Sequence, residues 1–159
     1  MNWSDLREVE LLLFREAELA DNNDYQAWLG LWAPELLYCV PCNDDTITPA
    51  SRIALIYDDR PKLEERVFRL GTRYAHSQRP RSRLTRVVSN IVLGEYDPAT
   101  GGSVTARFVA AEVRRDRQTL WAGSTRHTLV RDGAGLKIRE KFVYLVNNDA
   151  PMPNLTFVI

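Results

Sequence analysis

Apolar and polar positions follow two different periods along this chain, and the change of period separates a helical opening from a strand-rich second half. From Ser4 to Ala20 the apolar residues Leu6, Val9, Leu13, Ala17 and Ala20 recur at three- and four-residue steps, the spacing of one helix face. Ser4 is the expected N-cap, and Asp5 and Glu8 suit the positive end of the helix dipole. Asn22-Asn23-Asp24 interrupts that pattern. Tyr25, Trp28, Leu29 and Trp32 then share a face, so a second short helix is expected to run until Pro34 stops it. Leu36–Pro41 and Ser51–Tyr57 read as short strands. Asp59 and Pro61 open a third helix, with Leu63, Val67, Leu70 and Tyr74 on one side.

The period then becomes that of strands. Four segments of ten or more residues, about Leu84–Tyr96, Ser103–Arg115, Gln118–Arg131 and Lys137–Val146, are separated by turn chemistry: Asp97-Pro98-Ala99-Thr100-Gly101-Gly102, Asp116-Arg117 and Asp132-Gly133-Ala134-Gly135. Connections this short join antiparallel neighbours, and strands this long twist too strongly to lie flat. The expectation is one α+β domain, residues 1–159, with N-terminal helices packed on a curved antiparallel sheet that forms a cone.

Composition adds limits. With 159 residues and 45% hydrophobic content, the chain is long enough for one core of its own. No run approaches the roughly 18 apolar residues of a membrane span. Met1-Asn2-Trp3-Ser4-Asp5 lacks the basic-then-apolar order of a signal peptide, and two cysteines make no disulfide framework, so a cytoplasmic protein is expected. The net charge is zero, but its distribution is uneven. Between Arg66 and Gly94 there are seven arginines and no Asp, Glu or Lys. The densest part, Arg79-Pro80-Arg81-Ser82-Arg83-Leu84-Thr85-Arg86, leads into the first long strand. A nucleic-acid surface would need a basic domain with stacking aromatics beside the patch, and the nearest aromatic, Tyr74, belongs to a helix face. Guanidinium groups at Arg79, Arg81, Arg83 and Arg86 instead suit carboxylates, either on a partner chain or at Glu95, Glu112 or Glu140 of this one.

Catalytic chemistry is hard to place. Cys39-Val40-Pro41-Cys42 has redox spacing, but it ends a strand where redox pairs open a helix, and an extended strand would hold its Cα atoms about 10 Å apart. The two histidines, His76 and His127, fall in no zinc or iron ligand pattern. For acid–base work the candidates are Tyr25, Tyr57, Asp58, Asp59, His76 and His127. Each also has an ordinary structural role, Asp59 as a helix cap and His127 as one of many alternating strand residues.

Five pieces in order resemble the small, or beta, subunit of aromatic-ring-hydroxylating dioxygenases, the Rieske non-haem iron oxygenases. They are Phe14-Arg15-Glu16-Ala17-Glu18-Leu19; Asp24-Tyr25-Gln26-Ala27-Trp28-Leu29-Gly30-Leu31-Trp32; Tyr57-Asp58-Asp59-Arg60-Pro61-Lys62-Leu63-Glu64-Glu65-Arg66-Val67; Pro80-Arg81-Ser82-Arg83 with Val88-Ser89-Asn90; and Asn154-Leu155-Thr156-Phe157-Val158-Ile159. The resemblance implies a cone-shaped fold like that of nuclear transport factors and cystatins. It also implies an assembly of three large and three small subunits in which this chain has no catalytic residue and holds no cofactor. The iron–sulfur cluster and the mononuclear iron would lie in the large subunit. Neither nucleic acid nor membrane is an expected partner. Two rival readings stand beside it: a free-standing cone-fold isomerase, dehydratase or hydrolase, and a binding adaptor that uses the arginine face. From the ligand spacing, metal analysis of the purified chain is expected to find no stoichiometric iron or zinc, and a bound ion held by its own side chains would contradict this.

Overall fold

The computed structural model describes residues 2–42, 54–72, 80–133, 135–150 and 155–159. Helix α1 spans Trp3–Asp21, α2 Tyr25–Leu29 and α3 Arg60–Leu70. The strands are β1 Trp32–Pro41, β2 Ala54–Asp58, β3 Arg83–Asp97, β4 Gly101–Arg114, β5 Arg117–Asp132 and β6 Gly135–Leu145. They form one sheet in the order β2-β1-β6-β5-β4-β3. The four long strands make the expected antiparallel meander, with turns at the expected Asp and Gly positions. Less expected is that β1 joins the free edge of β6 in parallel and carries β2 outside it.

Local chemistry explains the helix starts. Asn2, two residues earlier than the expected Ser4, caps α1: its Oδ1 accepts from the Ser4 amide at 3.1 Å. Asp59 caps α3 as expected, accepting from the Lys62 amide at 3.2 Å, with Pro61 in the first turn.

The second helix is shorter than the sequence pattern suggests. It ends at Leu29 with Gly30 as its cap, and Trp32 starts a strand. The apolar stripe is satisfied either way, because Trp32 is buried in both cases; what decides is β6, whose Ile138 amide donates to the Leu31 carbonyl at 2.9 Å. Pro34 therefore lies within β1. It is tolerated there because the β1–β6 ladder shifts register between Trp32 and Leu37, and β2 pairs only from Tyr38 onward. Arg60 satisfies the exposed carbonyls of this irregular stretch, donating to Ala33 at 2.7 Å and Pro34 at 2.8 Å. One arginine at the start of α3 thus clamps the bulge.

The core lies between α1 and the concave side of the sheet. Val9, Leu13 and Ala20 of α1 meet Val104, Ala106, Phe108 and Ala110 of β4 and Trp121 of β5. At the closed end, Trp28, Trp32 and Tyr38 meet edge-on or tilted, with ring centroids 5.4 to 5.9 Å apart. Phe157, Val158 and Ile159 return into this core, Phe157 edge-on to Trp121. The fully buried Tyr38 hydroxyl holds the returning segment at both polar atoms of Ile159, donating to its oxygen and accepting from its amide, each at 2.8 Å. Tyr38→Phe would leave both buried groups without their partner. It is expected to cost about 1–3 kcal/mol in urea unfolding, and a loss below a few tenths would show that this clasp carries no weight.

Candidate subunit interface and the cone interior

Cone folds offer two places for function: the inside, where a cavity can hold a ligand, and the outside of the sheet, where a partner can sit. The inside is occupied by charge. Glu16 of α1, His127 of β5 and Lys141 of β6 are each at least 94% buried. The Lys141 ammonium lies 2.5 Å from Glu16 Oε1, and His127 Nε2 lies 3.2 Å from Glu16 Oε2. Burial alone would raise the Glu16 pKa; the adjacent Lys141 charge and the His127 hydrogen bond outweigh it and hold the carboxyl well below the usual range. Burial brings the Lys141 ammonium down from its ordinary value, against the attraction of Glu16. The space left beside these groups is about 20 Å³, lined by Leu13, Glu16, Arg86, Thr125, His127 and Lys141 among others. That volume admits about one water molecule and no aromatic ring.

The acid–base candidates do not gather there. Among the described candidates only His127 reaches the interior cluster. Tyr25 donates to Asn23 at 2.7 Å, and burial pushes its hydroxyl up to about 12. Tyr57 is half-buried in β2 opposite Cys39. Asp58 accepts two hydrogen bonds from Arg66, at 2.6 and 3.2 Å, and Asp59 is the α3 cap. His76 lies outside the described residues. The reading of His127 as an unremarkable strand residue is corrected by its pairing with Glu16. Cys39 and Cys42 are both free, and burial pushes the Cys39 thiol up to about 11, away from a reactive thiolate. Among the described residues no group of three or more His, Cys, Asp or Glu side chains is placed to hold a metal ion.

Sequence reasoning missed Glu16 and Lys141, yet both carried a signal. Glu16 falls in the series Val9, Leu13, Glu16, Ala20 on the buried face of α1, and Lys141 alternates with the inward Val143 and Leu145. A charge at a core position needs a partner, and two such positions of opposite sign suggest each other.

The arginine segment divides. Arg86 is withdrawn from the interface proposed for it: Nε and the amide donate to Asp21 at 2.6 and 2.9 Å, an Nη reaches the Val158 carbonyl at 3.2 Å, and only 5% of the side chain is exposed. The internal acid is therefore Asp21, on α1, and none of Glu95, Glu112 and Glu140. Glu112 accepts from Ser82 and from the Trp121 indole at 3.2 Å, and Glu140 accepts from Thr128 at 2.9 Å. Arg81 and Arg83 are exposed, and Arg79 lies outside the described residues.

Arg83 also belongs to a larger outer surface. On the convex side, Val87 pairs with Val109, Val109 with Ala122, and the Val146 amide just past β6 donates to the Ala122 carbonyl, so an apolar row crosses three strands and ends on the turn after β6. Val87, Val109 and Val146 are 67%, 51% and 76% exposed, and Leu120 beside them is 65% exposed. Phe142 and Tyr144 stack next to the row at 6.3 Å, with the Arg126 guanidinium 4.8 Å above the Phe142 ring. Arg83, Arg107 and Arg126 rim it. Contiguous exposed apolar surface of this kind marks an interaction site.

Residues 15–151 match the family described as ring hydroxylating beta subunit. The chain belongs to that family. This beta subunit is 37% identical over 140 residues to the small oxygenase component of the p-cumate 2,3-dioxygenase system of Pseudomonas putida, covering 87% of this chain and 77% of the relative. Its fold is similar to the beta subunit of benzoate 1,2-dioxygenase from Burkholderia mallei, with a TM-score of 0.79 at 24% identity, covering 99% of this chain and 98% of the other. It is also similar, with a TM-score of 0.60 at 17% identity, to an NTF2-like protein with a cystatin-like fold from Novosphingobium aromaticivorans, covering 92% and 85% of the two chains. Among the described residues no helix is long and apolar enough to cross a membrane.

The interior cluster sets a pH dependence. Glu16 binds its proton more weakly in the folded chain than in the unfolded one, whose value is near 4.5. Its contribution is therefore complete above about pH 4.5 and is lost as pH falls from there toward the depressed folded value. Urea unfolding from pH 6 to 3 is expected to show stability dropping below about pH 4.5, with the drop flattened in Glu16→Gln. Lys141→Met, which leaves the carboxylate buried and uncompensated, is expected to cost about 3–5 kcal/mol at neutral pH, and combining it with Glu16→Gln should recover much of that.

Proposed function

We propose that this beta subunit is the non-catalytic, assembly-supporting chain of a cytoplasmic Rieske-type oxygenase that dihydroxylates an aromatic compound. Its partners are a large subunit, which would carry the iron–sulfur cluster and the mononuclear iron, and further copies of itself. The observation that carries this reading is the contrast between the two sides of the sheet. Inside, paired charges and core side chains leave about 20 Å³ beside Glu16, His127 and Lys141. Outside, an apolar row across three strands is open and rimmed by arginines. A partner that covers it brings apolar atoms to the row and carboxylates to Arg83, Arg107 and Arg126. The free-standing enzyme reading would need substrate-sized space around His127, and the volume there supports the assembly role instead.

Charge reversal at the start of β3 tests the proposal, because Arg81 and Arg83 are exposed and make no contribution to the core. Arg81→Glu with Arg83→Glu is expected to fold like wild type by circular dichroism, yet to lose co-purification with the large subunit at physiological salt. Truncation of desolvated Arg–carboxylate pairs costs on the order of 2–5 kcal/mol. A variant that assembles as well as wild type, or that unfolds, would sink the interface claim.

A further inference from the structure

We propose that the small space between α1 and the sheet is a built site for one buried water molecule, which donates a hydrogen bond to His127 Nδ1 and bridges the interior polar groups. The inference starts from an orphan. His127 is 98% buried, and its Nδ1 has no hydrogen-bond partner among the described residues. A buried polar atom of this kind is matched by a ligand or water in nearly all folded proteins.

The chemistry of its neighbours fixes which way that bond runs. Glu16 is an ionised carboxylate and only accepts, so the ring nitrogen facing it, Nε2, carries the proton. A ring that carries its single proton there presents the other nitrogen as a lone-pair acceptor, and the site then calls for a donor. The lining offers the rest of a water's bonds. Lys141 has ammonium protons beyond the one given to Glu16, Arg86 has guanidinium protons, and Thr125 has a hydroxyl able to accept. About 20 Å³ holds one water with the two to four polar partners it needs. Other occupants fit worse. A metal cation would face Lys141 and Arg86, an apolar group would leave Nδ1 unmatched, and anything the size of an aromatic ring exceeds the space.

Two readouts on the full chain test this. Long-range proton–nitrogen correlation spectra of histidine-labelled protein, assigned with a His76→Gln variant, are expected to show His127 at pH 7 as the neutral tautomer protonated at Nε2, with Nδ1 shifted as a hydrogen-bond acceptor. High-resolution crystallography of the assembled oxygenase is expected to show one fully occupied solvent peak within hydrogen-bond distance of Nδ1, and the peak should disappear in His127→Leu. A tautomer protonated at Nδ1, an imidazolium at pH 7, a wild-type site without density, or a peak unchanged in His127→Leu would each overturn the proposal. The wild-type spectra stand even where the His127→Leu variant does not fold.

Discussion

The buried ion pair between Glu16 and Lys141 is the constraint around which the rest of the cone is arranged. A helix laid across a curved sheet on apolar contacts alone could slide or rotate by one ridge at little cost, because one aliphatic surface resembles another. A carboxylate inside the core removes that freedom. It must meet Lys141 of β6 and His127 of β5 together, and only one placement of α1 allows this. Asp21, near the end of the same helix, repeats the device against Arg86 of β3. Two acids on one helix thus address three strands, and the curvature of the sheet is held to the position of α1.

That arrangement also explains why the chain's last described residues turn inward. Arg86, once fixed by Asp21, has a donor left for the Val158 carbonyl, and Tyr38 offers its hydroxyl to Ile159. Phe157, Val158 and Ile159 then complete a core that the helices leave open. Ile159 helps line the residual space beside Glu16 and His127, so the returning segment contributes directly to closing the interior. A ligand-binding cone keeps this region open; here polar groups and apolar side chains converge to fill it.

What the sequence revealed and what it hid follow from range. The α1 stripe, the Asp59 cap and the meander turns depend on residues a few positions apart, and each was readable. The end of α2 was not, because the choice between continuing to Pro34 and becoming strand is made by β6, more than a hundred residues away. The partner of Arg86 was missed for the same reason: acids were sought across the sheet, while Asp21 approaches from the helix. Arg86 meets a carboxylate while Arg81 and Arg83 face outward, and charge density along a chain does not distinguish a side chain turned inward from one turned out. Strand alternation does, once the register is known.

Register also gives the outer surface its meaning. Alternation on β3, β4 and β5 commits every second residue to the core, and a surface with no partner would fill the other half with polar groups. Here the outward positions include Val87, Val109, Ala122 and Leu120, which the ladder brings together into one patch among polar neighbours. Scattered exposed apolar residues need no explanation, but a row crossing three strands arises only when several independent positions agree. The arginines at its margin narrow the complementary surface to one that bears carboxylates, since a second arginine-rimmed face would repel it. The chain therefore directs Glu16, Lys141, Asp21 and Arg86 inward in pairs, where they fix the fold, and leaves Arg83 facing outward on the same face as the apolar row.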